Sequence, residues 1–131
     1  RLTTYNNIVI IGKVALMPNA TKWSVYFYKN ARGESPPLEY IKSLEKKDRA
    51  KIARYIKLLK DLGVMISMPQ AKHLEGHLWE LRPFPHRIIY FAHTGRRFVI
   101  LHAFHKKTQK TPRREIDIAR RRMEAVLEGE R

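Results

Sequence analysis

Cysteine is absent from all 131 residues. That excludes disulfides, thiolate catalysis, and zinc or iron–sulfur sites built on Cys. Acids are scarce as well: 12 Asp and Glu stand against 27 Lys and Arg, a formal charge of +15. His73, His77, His86 and His93 do not stand at metal-ligand spacing from a carboxylate or Cys, so neither a metal site nor another cofactor is expected. The apolar run Ile8–Ile11 is interrupted by Lys13 and is far too short to span a bilayer. No uninterrupted apolar segment precedes a small-residue cleavage site, which makes a signal peptide a poor fit. No basic amphipathic helix is free of core duties, so no membrane partner is expected and the chain reads as cytoplasmic. Internal repeats and low-complexity tracts are missing too.

The residues present fit one globular domain. The hydrophobic content of 44% is ordinary for a folded protein, and the length allows a single modest core. So large a basic excess in a compact domain repels itself and usually serves a polyanion, nucleic acid foremost. Residues 1–16 look foreign to the rest of the chain. The chain opens on Arg1, Met17 is the expected natural start, and 1–16 read as an added or flexible leader before a single domain over 17–131. The other reading of that stretch is an extra edge strand at Ile8–Ile11.

Trp23–Tyr28 alternates like a strand. Ser35 followed by Pro36 offers an N-cap and a first-turn proline for a short helix, Pro36–Leu44. In Lys46–Leu62, Ile52, Tyr55, Ile56, Leu59 and Leu62 recur at helical spacing, and Gly63 supplies the stop. The two helices are expected to form a hairpin on one face of a sheet. Val64–His77 reads as a connector. Leu78–Arg82, Arg87–His93 and Phe98–His105 then read as three strands of an antiparallel meander. Thr111 and Pro112 repeat the cap-and-proline signature, opening a last helix to about Glu128. The order strand, helix, helix, three strands, helix defines an α+β domain with an antiparallel sheet. The strand edges carry Glu80, Arg82, Arg87, Tyr90, His102, His105, Lys106 and Lys107. All but Glu80 are cations, proton carriers or hydroxyls, equipment for gripping a phosphodiester and moving a proton.

The segments K-H-L-E-G-H-L-W-E-L-R, R-I-I-Y-F and H-A-F-H-K-K-T-Q-K-T-P-R-R-E-I-D-I-A-R-R-R resemble the phage-derived branch of the RelE/HigB toxins of bacterial type II toxin–antitoxin systems. The likeness runs from about Trp23 to Glu128, and K-K-T-Q-K-T-P is its most specific part. The resemblance implies a small RelE-like α+β fold and a metal-independent endoribonuclease acting on messenger RNA at the ribosome. It also implies a cognate antitoxin, expected to be a helix-turn-helix protein of the HigA type. Arg82, Arg87, Lys106 and Lys107 match the branch pattern, whereas His105 stands where an apolar residue is commoner.

Metal-free RNA cleavage needs a base for the 2′-hydroxyl, cations for the dianionic phosphorane and an acid for the leaving 5′-oxygen. Arg82 and Arg87 suit the second task, since a guanidinium fork can hold two phosphate oxygens. They flank the Pro83–His86 break, which should bring both to one end of the sheet. Lys106 and Lys107 are candidates for proton transfer, as is His105. Lys72, Lys110, Arg113 and Arg114 read as RNA-backbone contacts, with Tyr90 as a further phosphate partner. On simple alternation His102 shares a face with Phe98, Ile100 and Phe104 and belongs to the core. Glu80 is expected to pair with Arg82. Two other readings stand beside the nuclease: a non-catalytic toxin of the gyrase-inhibitor type, and a basic nucleic-acid-binding phage protein without activity.

Overall fold

The structure is a computed structural model that describes residues 2–5, 8–11, 14–16 and 23–129. Three short strands, β1 (Leu2–Tyr5), β2 (Ile8–Ile11) and β3 (Val14–Leu16), pair antiparallel among themselves. Ile8–Ile11 is therefore a strand, yet not an edge of the main sheet. Met17, the expected start, lies outside the described residues.

The main chain path runs β4 (Ser24–Phe27), α1 (Pro36–Lys42), α2 (Lys46–Leu62), β5 (Ala71–Glu75), β6 (Leu78–Leu81), β7 (His86–His93), β8 (Arg97–His105) and α3 (Arg113–Gly129). The sheet order is β4-β8-β7-β6-β5, antiparallel except where β4 runs parallel to β8. This is the expected α+β class, with one strand more than expected. The supposed connector contains β5, whose A-K-H-L-E sequence shows little apolar alternation because it is an edge strand. Lys72 and His73 are exposed and only Ala71 is fully buried.

Helix starts obey the proline signals, but not through the expected caps. Ser35 precedes α1 without a side-chain cap bond. Pro37, at the second helical position, lacks one of the two N–H groups such a cap can engage. Thr111 does not cap α3 either: the helix begins at Arg113, Pro112 O accepts from Glu115 and Ile116 N–H, and the Thr111 hydroxyl is used elsewhere.

Both faces of the sheet are covered. On one, Ile88, Tyr90, Phe98, Ile100 and Ala103 pack with Ile41 of α1 and with Ile52 and Leu59 of α2. On the other, Leu78, Ile89, Phe91, Val99 and Leu101 pack with Ile116 and Ala119 of α3. A bulge breaks the β7–β8 register: Ile89 pairs with His102 but Tyr90 pairs with Ile100, so Leu101 is the extra residue. The bulge corrects the placement of His102. It puts His102 on the α3 face with Phe104, while Phe98 and Ile100 face α1 and α2.

Tyr90 is corrected as well. It is 2% exposed, edge-on to Phe98 at 5.4 Å, and Phe98 in turn stacks on Trp23 at 4.3 Å. Burial pushes its phenol far above the usual range. It is a core aromatic, out of reach of an RNA phosphate.

Gly63 closes α2 with φ +58°, and a Cβ there would lie 2.7 Å from Trp23 Cδ1. Only glycine takes this backbone conformation and leaves room for the indole. Gly63→Ala should therefore destabilise the fold by about 1–3 kcal/mol, read by chemical denaturation. An unchanged midpoint would show that Trp23 does not constrain this corner.

Candidate nucleic-acid interface

With helices on both faces, strand residues reach solvent mainly at the sheet ends. One end gathers the close of β6, the Pro83–Pro85 turn, the start of β7, the close of β8 and the start of β5. The registers Leu81↔Ile88, His86↔His105 and Ala71↔Leu81 bring them side by side. The break at Pro83–Pro85 thus places Arg82 and Arg87 together, as their spacing predicts.

The centre of this end is Glu80. Its side chain has no exposed surface, and its Oε1 lies 3.3 Å from Arg82 Nε and 3.6 Å from Arg87 Nε. The Thr111 hydroxyl donates to the other oxygen, Oε2, at 2.6 Å. These distances make ion pairs, but the guanidinium N–H groups are not aligned on Oε1, which receives no hydrogen bond. Arg82 Nη1 points away from the carboxylate, at Met68 Sδ 3.6 Å away, and Arg87 is buried, 5% exposed. Burial, and next the Arg82 charge, lower the Arg87 pKa, while Glu80 pulls it back up. Two cations share one anion, leaving a net positive charge in a site shielded from water.

A cleft of about 520 Å³ opens over Arg82 and is lined by Lys72, His73, Leu74, Gln109, Lys110 and Thr111. Lys72 and Lys110 are exposed on its rims. β5, hidden in the sequence as part of a connector, supplies one wall, and the loop pinned by Thr111 supplies the other.

The remaining candidates divide. Arg113 ion-pairs with Glu75 and with Asp117 at 3.0 Å, and Arg120 joins the same Glu75. Hydrogen bonds from Arg113, then Arg120, hold the Glu75 carboxyl below its usual value. A cation in the first turn of α3 is thereby compensated by acids, so Arg113 ties α3 to β5 and is not a free RNA contact. Arg114 is exposed. Lys107 is exposed in the loop after β8, and the Lys106 ammonium sits 5.3 Å from the Phe84 ring centroid.

His105 is exposed and lies on the face opposite His102, its ring 5.7 Å from that of His86. His86 itself is nearly inaccessible: its Nδ1 bonds the Tyr40 hydroxyl at 2.7 Å and its Nε2 bonds Asp48 Oδ2 at 3.1 Å. This link from β7 to α1 and α2 was not legible in the sequence, because Tyr40 and Asp48 lie about forty residues upstream. His102 bridges to α3 by the same logic. Its Nε2 donates to Glu115 Oε1 at 2.8 Å, and Arg122 Nη1 lies 3.3 Å from its Nδ1. Burial, the largest influence, lowers its pKa despite Glu115; Arg122 and Arg114 add to the lowering.

Three helices on a five-stranded, mostly antiparallel sheet, with a cationic cleft at one end, make this a RelE-like α+β domain. A chain of the crystal structure of the archaeal RelE–RelB complex from Pyrococcus horikoshii OT3 is similar in fold, with a TM-score of 0.53 and 18% identity. The match covers 66% of this chain and 97% of that one. The chain belongs to the "Phage derived protein Gp49-like" family, whose model matches residues 39–124. That range contains Glu80, Arg82, Arg87, Lys106, Lys107 and Thr111. No curated protein matches.

These contacts fix two expected outcomes. Glu80→Ala leaves two buried guanidinium groups facing each other, and should cost about 3–5 kcal/mol in denaturant unfolding. A cost near zero would mean the arginines do not depend on it. For His102 the folded pKa lies below the unfolded value of 6.5. As pH falls through that window the unfolded chain takes up the proton first, so stability is full above the unfolded value and declines below it. The melting temperature should drop on acidification from neutrality, and His102→Gln should flatten that drop. An equally steep drop in the variant would exclude His102 as its source.

Proposed function

We propose that this chain is the toxin of a type II toxin–antitoxin system, of the HigB-like branch: a metal-independent endoribonuclease that cleaves messenger RNA on the ribosome and inhibits translation. One observation carries the reading. A solvent-excluded carboxylate, Glu80, holds Arg82 and Arg87 side by side through their Nε atoms, and Arg82 lines a cleft together with exposed Lys72 and Lys110, with Arg87 buried behind it. The RelE-like fold and the Gp49-like family membership support it. The similar structure is that of a RelE–RelB complex, which supports an antitoxin as partner; a helix-turn-helix, HigA-like protein is the form expected from the resemblance.

The chemistry is an in-line transesterification. The 2′-oxygen attacks phosphorus as a base removes its proton, and the 5′-oxygen leaves with a proton from an acid, giving a 2′,3′-cyclic phosphate and a 5′-hydroxyl. Arg82 and Arg87 face the charge that builds on the phosphorane, in a site where desolvation strengthens the interaction. Lys106, Lys107 and His105, at the close of β8, are the proton carriers at this end of the sheet. Lys72 and Lys110 position the backbone, and Arg114 extends the basic surface along α3.

Inducing the full chain in bacteria should arrest growth and produce discrete cuts inside translated messages, mapped by primer extension. In vitro cleavage should persist in EDTA. Arg82→Ala should lower the cleavage rate by about a hundredfold or more while costing less stability than Glu80→Ala. Arrest without cuts would instead indicate a gyrase-inhibitor type of toxin. No arrest and no cuts would reduce the chain to a basic binding protein, and a loss of activity that tracks loss of fold would make Arg82 structural.

A further inference from the structure

The turn between β6 and β7 carries a residue that neither the core nor the arginine pair uses. Phe84 is 62% exposed at its tip. Its backbone is held on several sides. His86 N–H donates to Pro83 O at 2.8 Å, Lys106 N–H donates to Pro85 O at 2.7 Å, and Lys51 Nζ donates to Phe84 O at 2.8 Å. The ring is thus presented to solvent from a pinned backbone, so contact with a planar ligand costs little ordering entropy.

Its surroundings are cationic. The Lys106 ammonium lies near the ring, and Lys51 is bonded to the Phe84 carbonyl. A protein-docking anchor is expected in an apolar surround that excludes water. An aromatic face flanked by cations suits a base that carries its phosphates with it. Position supplies the remaining argument. Phe84 is two residues from Arg82 and three from Arg87, which limits the chain distance to about 7 and 10 Å. A phosphate over Arg82 and a base on Phe84 can therefore belong to the same or adjacent nucleotides.

We infer that Phe84 is the stacking platform of a nucleobase subsite, taking an unpaired base of single-stranded RNA whose phosphate is held in the Arg82 cleft. The subsite rests on the RNA-cleavage reading for its ligand and adds the element that sets the base in register with the scissile phosphate. Lys106, its ammonium 5.3 Å from the ring centroid, flanks the platform.

The test uses the full chain and a short single-stranded RNA carrying 2-aminopurine, with 2′-O-methyl groups to block cleavage. Fluorescence quenching reports stacking, and titration at several salt concentrations gives affinity and its salt slope. Wild type should quench the probe. Phe84→Leu should bind about tenfold more weakly with an unchanged salt slope, since a stacking contact releases no counterion. Phe84→Trp should restore both binding and quenching, and an unchanged melting temperature in either variant shows that the fold is intact. Full quenching and affinity in Phe84→Leu would overturn the subsite, and loss of binding in Arg82→Ala alone would then leave the cleft standing. A shallower salt slope in Phe84→Leu would also overturn it, by tracing the loss to phosphate contacts. Loss of quenching in Phe84→Leu, from a wild-type chain that cuts no RNA, would uphold the subsite and sink the nuclease.

Discussion

A carboxylate removed from water has to be matched by positive charge, and Glu80 is matched twice. Its desolvation is offset only while Arg82 and Arg87 stay close and Thr111 donates to its second oxygen. That requirement joins four parts of the chain: the end of β6, the turn, the start of β7 and the loop before α3. The consequence is chemical as well as structural. Two guanidinium groups that would repel each other are kept adjacent, and the single anion between them neutralises only one. The residual charge lies on two guanidinium groups largely withdrawn from solvent, one of which, Arg82, lines the cleft; a desolvated cation is the kind that binds an anionic transition state most strongly.

The sheet explains why the chemistry collects at one end. Its two faces are closed by α1 and α2 on one side and by α3 on the other. Away from the exposed edge strand β5, polar side chains of the inner strands β7 and β8 serve as core links or stand at a sheet end. His86 and His102 are links, bonded to Asp48 and Glu115 across opposite faces. Arg82, His105, Lys106 and Lys107 are end groups, and the loop adds Lys110. Six cations of the excess thus meet where strands run out, Lys72, Arg82, Arg87, Lys106, Lys107 and Lys110, while α2 and α3 carry twelve more.

Much of this was legible in the sequence. The α2 stripe, the three apolar strands from Leu78 to His105 and the last helix are set by periodicity, and the Pro83–Pro85 break announces that Arg82 and Arg87 are neighbours. The hidden features depend on tertiary partners. β5 lacks alternation because one edge and much of its surface face water. The face of His102 is set by the Leu101 bulge, which no local pattern signals. Thr111 looks like a helix cap, whose oxygen would accept from a backbone N–H, but its hydroxyl instead donates to the buried Glu80 carboxylate. Arg113 looks like a free cation at a helix start until Glu75 arrives from β5, and Tyr90 is indistinguishable in sequence from a surface tyrosine until α1 and α2 cover it.

The most direct measurement is an NMR titration of the arginine side-chain signals with a non-cleavable single-stranded RNA. If Glu80 presents Arg82 and Arg87 to a phosphate, their guanidinium resonances should shift and sharpen together at low RNA concentration, and Glu80→Gln should uncouple the two. Shifts confined to surface residues such as Arg114 and Arg121, with Arg82 and Arg87 unmoved, would contradict the account and reduce the buried triad to a structural device.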